Sequence, residues 1–107
     1  MVKMKSSQKE VNNMTIKFND FGKSLGTREM GSKIRHKITN CINRGENVVF
    51  DFTGVEILSH SYADEVFGKL LKEFGMKKIK ETTNFQNANE YVTKIIVSVI
   101  NESVQLK

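Results

Sequence analysis

The chain predicts an α/β domain: a small mixed, largely parallel sheet with about three helices packed mainly on one face. Three observations carry this expectation. The stretch Val48–Phe74 runs from a short apolar strand through a polar turn into a one-faced helix. Strand-like and helix-like periods alternate along the whole chain, which favours right-handed parallel crossovers. The 107 residues suffice for one core but not for a full doubly wound sheet.

Met14-Thr15-Ile16-Lys17-Phe18 alternates apolar and polar residues, as a strand with one buried face does. Asn19, Asp20 and Gly22 punctuate it, and Phe21 is assigned to the core. Lys23–Gly26 is a connection. Thr27 is the expected N-cap of a first helix, with Met30, Ile34, Ile38, Cys41 and Ile42 on one face. Gly31 inside that helix costs about 1 kcal/mol relative to alanine and so marks close packing. Arg44-Gly45 ends the helix. Val48–Phe52 is the second strand, broken by Thr53-Gly54. In the next helix Ala63, Val66, Phe67, Leu70, Leu71 and Phe74 keep helical spacing. Ser61 is read as its cap, paired with Asp64 in an imperfect capping box, and Gly75 as its end. Met76–Thr83 offers a third, exposed edge strand around Ile79, and Asn84–Gln86 a turn. Asn87 with Glu90 signals the third helix, whose apolar face is Ala88, Tyr91, Val92, Ile95, Ile96, Val99 and Ile100. Residues 1–13 read as a flexible tail, 14–104 as the single domain, and 105–107 as a frayed end, with fraying expected from Asn101 onward.

Apolar residues make up 38% and charged residues 27%, which excludes intrinsic disorder. No apolar run approaches the roughly 20 residues of a membrane span, and Met1–Ser7 carries no apolar signal segment. A single cysteine forms no internal disulfide, so a cytoplasmic setting is expected. The net charge of +5 admits nucleic acid or an acidic partner. Lys33, Lys37 and Arg44 form a stripe on the first helix, the candidate nucleic-acid contact, with no aromatic residue interleaved.

In a parallel sheet the connections that follow strands share one edge. Lys23–Arg28 and Thr53–Ser61 therefore meet, and Thr27, Arg28 and Ser61 become a candidate anion site at two helix starts. Tyr62 is the expected aromatic anchor of a protein interface on the second helix. The case for an enzyme is thin. Cys41 falls on a buried helix face, His60 next to Ser59 and Ser61 is the only hint of a base, and no zinc-ligand spacing occurs. No cofactor or metal is expected.

Ser24-Leu25-Gly26-Thr27-Arg28-Glu29-Met30-Gly31, Asp51-Phe52-Thr53-Gly54-Val55 and Ser59-His60-Ser61-Tyr62-Ala63-Asp64-Glu65 together resemble a small prokaryotic STAS-like family of unassigned function. The larger class holds sulfate transporter and anti-sigma-factor antagonist domains. The resemblance implies a mixed sheet flanked by helices and a regulatory role exercised through a protein partner, an ATP-binding kinase-like protein in the antagonists. It places Ser61 at the phosphoacceptor position of an Asp-Ser-Ser-Gly turn, with Ser59, His60 and Tyr62 replacing the other three residues. The interaction turn is then Ser59, His60, Ser61, Tyr62, Asp64 and Glu65. A basic adaptor that binds nucleic acid through the first helix is the alternative function.

Overall fold

The computed structural model describes residues 12–105. Most of the tail expected at 1–13, and the last two residues of the expected frayed end, lie outside them. Five strands and a set of helices follow in order: β1 (Asn13–Lys17), a 3-10 turn (Phe18–Phe21), β2 (Ser24–Leu25), α1 (Arg28–Asn43), β3 (Asn47–Asp51), β4 (Ile57–Leu58), α2 (His60–Ala63), a π-turn (Asp64–Gly68), α3 (Lys69–Thr82), β5 (Thr83–Gln86) and α4 (Glu90–Gln105). Among the described residues, β1, β3 and β5 form a sheet in that spatial order and β2 pairs with β4, every pairing being parallel.

Strand alternation divides the main sheet into two faces. The register aligns Ile16 with Phe50 and Phe50 with Phe85, so these side chains share the inner face. Thr15, Lys17, Val49, Asp51, Asn84 and Gln86 fall on the other, largely polar face. The helices cover the inner face, as expected. Its centre is aromatic: Phe18 stacks on Phe52 with ring centroids 4.6 Å apart, and Phe67 meets Phe50 and Phe85 edge-on or tilted at 5.2 Å.

The π-turn is the hub of the helical layer, touching α1, α2, α3 and α4. The Lys69 N–H bonds the carbonyl of Asp64, five residues back, which defines the wider turn. Gly31 lets α1 approach this hub. A Cβ there would lie 3.1 Å from Glu65 Cβ and 3.2 Å from Val66 Cγ2, so the close packing expected at Gly31 is present.

Several boundaries differ from expectation. Gly75, at φ +86°, does interrupt α3, but the chain re-enters helix until Thr82 instead of forming a strand over Met76–Thr83. The third strand is Thr83–Gln86, where a turn was expected. Asn89, not Asn87, caps α4: its side chain accepts the Val92 N–H at 2.7 Å. Helix α4 continues to Gln105, past the Asn101 from which fraying was expected. Phe21 and Tyr91, both assigned to the core, are exposed because the 3-10 turn and the flank of α4 carry them to the surface.

Candidate functional site

The two junctions that follow β1 and β3 lie side by side. Ser24 and Leu25 register with Ile57 and Leu58. The Lys23 carbonyl accepts the N–H groups of Glu56 and Ile57 at 2.9 and 3.2 Å, and the Ser59 N–H reaches the Leu25 carbonyl at 2.9 Å. Thr27 caps α1 as expected, accepting the Met30 N–H at 3.1 Å.

The cap of the second helix is corrected. Ser59, not Ser61, accepts the Tyr62 N–H at 3.0 Å, and its hydroxyl donates to the Gly26 carbonyl at 2.8 Å. One hydroxyl thus starts a helix and ties it to the neighbouring junction. Ser61 lies in the first turn beyond the cap and is half-buried. Exposed His60 points to Glu102 at the far end of α4, 3.0 Å away.

Tyr62 is not a surface anchor. It is 1% exposed, in edge contact with Phe18, and burial pushes its phenol well above the usual range. One helical turn separates Tyr62 from Val66, which places the ring on the core side of the helix. Ile57, at 44% exposure, is the apolar group that the edge presents instead.

Below the edge lies an ion cluster that sequence reading missed. Glu65 has a side chain only 6% exposed, and its carboxylate meets three cations: Lys69 at 3.1 Å, Arg35 at 3.2 Å and Arg28 at 3.4 Å. Burial alone would raise its carboxyl, but the bonds from Lys69, Arg35 and Arg28 outweigh it and hold it below the ordinary value. Arg28 also donates to Asp64 at 2.9 Å. The arginine of the expected anion site is thus already bound to two carboxylates. Thr27, Arg28 and Ser61 share one edge, yet the cation there is neutralised from within the fold.

Asp51 ends β3 as a loop organiser. Its Oδ1 accepts from the Thr53 N–H, the Thr53 hydroxyl and the Asn87 amide at 3.0, 2.7 and 3.0 Å. These bonds, Asn87 first, hold its carboxyl down at about 2. A depressed carboxyl adds stability that is complete above its unfolded value, 3.8, and vanishes as the pH falls through about 2. Carboxyl NMR titration is expected to give an Asp51 midpoint near 2, with Thr53 amide exchange rising over the same window. A midpoint near 3.8 would show that the Asn87 and Thr53 bonds are not held in solution.

Lys33 and Lys37 on α1 and Arg44, the residue that caps its C-terminus, are all exposed. Arg44 is bound to Glu46 through Nε and Nη2, both at 3.2 Å, which takes one charge out of the stripe. Cys41 is buried, and burial raises its thiol above the usual range. Among the described residues no cluster of three His, Cys, Asp or Glu side chains could hold a metal, and no helix is long and apolar enough to cross a membrane.

Fold and edge together define a small two-layer α/β domain whose two strand-to-helix junctions are fused into one surface. A family model described as a STAS-like domain of unknown function matches residues 30–93, well over half of the chain, and the protein belongs to that family. No curated protein and no solved structure gives a significant match.

Proposed function

We propose that this domain is a non-enzymatic regulatory module, a cytoplasmic signalling part that binds a protein partner on the fused edge. The observation that carries this reading is the pairing of β2 with β4, clamped by the Ser59–Gly26 bond. It holds exposed Ile57, Thr27, Arg28 and His60 and half-buried Ser61 on one preorganised surface. An exposed apolar side chain ringed by polar groups is the composition of a small interface. The partner is a protein, and an ATP-binding kinase-like protein is its first candidate.

Ser61 supplies the switch. It precedes Asp64 by one helical turn, so the two share a face. A phosphate there adds roughly −1.5 to −2 charges at pH 7 and competes with Asp64 for Arg28. Modification would redistribute charge over the edge without breaking the Ser59 cap. The alternative, nucleic acid held by Lys33, Lys37 and Arg44, is weakened by the Arg44–Glu46 pair.

The test is affinity capture from native extract on the immobilised full chain, read by mass spectrometry. Wild-type protein is expected to retain a partner that Ile57→Glu loses and Ser61→Asp holds less firmly. Equal retention by all three chains would reject the edge as the interface. Turnover of a substrate by the purified chain would reject the non-enzymatic reading.

A further inference from the structure

A second surface lies between β1 and α1, apart from the fused edge. A groove of about 330 Å³ runs along β1, with Met14, Ile16, Phe21 and Cys41 as its apolar lining and Lys37 and Arg44 on the helix side. Met14 is 38% exposed and Phe21 43%. Both offer bare apolar surface beside a strand that, among the described residues, pairs only with β3.

The backbone direction of β1 is fixed by one bond. The Asn12 carbonyl accepts the Asn47 N–H at 2.9 Å, so the main-chain groups of Asn12, Met14 and Ile16 point toward β3. By alternation those of Asn13, Thr15 and Lys17 point outward, along the groove. A row of outward N–H and C=O groups is a template for an added strand.

Charge selects the occupant. Lys17, Lys37 and Arg44 outnumber Asp20 in the lining, and Glu46 offsets Arg44, leaving an excess of positive charge. The chain's own first eleven residues carry Lys3, Lys5 and Lys9 against Glu10, and the whole chain carries +5. Both the amino-terminal segment and a second copy bring like charge, which disfavours them at this rim. The apolar lining in turn suits a peptide better than a sugar–phosphate backbone.

We propose that β1 is a docking edge for an extended acidic segment of a partner protein, in which apolar and acidic residues alternate. The segment adds a strand beside β1. Its apolar side chains fill the Met14–Phe21 groove, and its carboxylates, on the opposite face of the added strand, meet Lys17.

The test uses the full chain and a short fluorescein-labelled peptide of alternating valine and glutamate, with a valine–lysine peptide as control. Fluorescence anisotropy is expected to show binding of the acidic peptide alone, weakened by salt, with amide NMR shifts centred on Asn13–Lys17. Thr15→Pro removes an outward N–H and leaves the ladder to β3 in place. Lys17→Glu reverses the charge that the carboxylates meet and keeps the proposal testable where the proline variant fails to fold. Each is expected to weaken binding about tenfold or more. Equal binding of both peptides, no binding, or indifference to Lys17→Glu would overturn the proposal. Self-association abolished by Thr15→Pro would overturn it in favour of a second copy, and displacement of the peptide by a tighter-binding single-stranded oligonucleotide in favour of nucleic acid.

Discussion

Phe18→Ala is expected to cost about 4 kcal/mol of unfolding free energy, read as a lower urea midpoint at unchanged slope. Phe18 is fully buried within the aromatic cluster: stacked on Phe52, it meets Phe50, Tyr62 and Phe67 at centroid distances of 5.9 to 6.5 Å. Removing the ring deletes a large transfer term and leaves a void walled by rigid rings, which relax poorly. Domains of this size are stable by about 5–15 kcal/mol, so the loss is a large share of the total. The melting temperature should fall by on the order of 20 °C. Phe21→Ala, three residues on and exposed, is the control and should cost under about 1 kcal/mol. Equal losses at the two positions would mean that the ring stack does not anchor β1 to the helices.

The legible parts of this fold were those whose burial has a period. Ile34, Ile38, Cys41 and Ile42 on α1, and Val48 and Phe50 on β3, are buried where spacing predicts. Strand β5 was missed because it lies at a sheet edge. Phe85 is its one large apolar residue, and Asn84 and Gln86 fall on the polar outer face. Without alternation between two apolar positions, Thr83–Gln86 has no strand signature. Gly75 was correctly read as a break, but a positive-φ glycine only turns the chain. Ile79, buried after it, belongs to the resumed helix.

At the candidate edge, parallel order alone was enough to bring the two junctions together. The choice between Ser59 and Ser61 as cap was not legible, since both residue types suit it. The Gly26 carbonyl decides it, from a residue 33 positions away in sequence. The burial of Tyr62 could have been read: Tyr62, Val66 and Leu70 are successive i, i+4 positions on the face that contains Ala63 and Phe67. The role of Glu65 could not, because its arginine partners precede it by 30 and 37 residues.

That hidden cluster gives the other large effect. Glu65→Leu is expected to destabilise by about 3 kcal/mol, at the low end of the cost of breaking a buried ion pair. Arg28 and Lys69 are about half exposed and can hydrate when the carboxylate is gone. Arg35, with a side chain 17% exposed, cannot do so readily, and its Nε already has no partner. The penalty is therefore the stranded Arg35 charge more than the lost attraction. Arg35→Met combined with Glu65→Leu removes both charges and should recover most of the loss, giving a coupling well above the few tenths expected of independent sites. In wild-type protein the carboxylate's contribution is complete above its unfolded value, 4.5, and falls away as acid titrates the lowered folded value. The Glu65→Leu variant should accordingly lose less stability than wild type between pH 5 and pH 3 in urea melts. Additive losses in the double variant, or parallel acid profiles, would reduce this cluster to a solvated network contributing under about 1 kcal/mol.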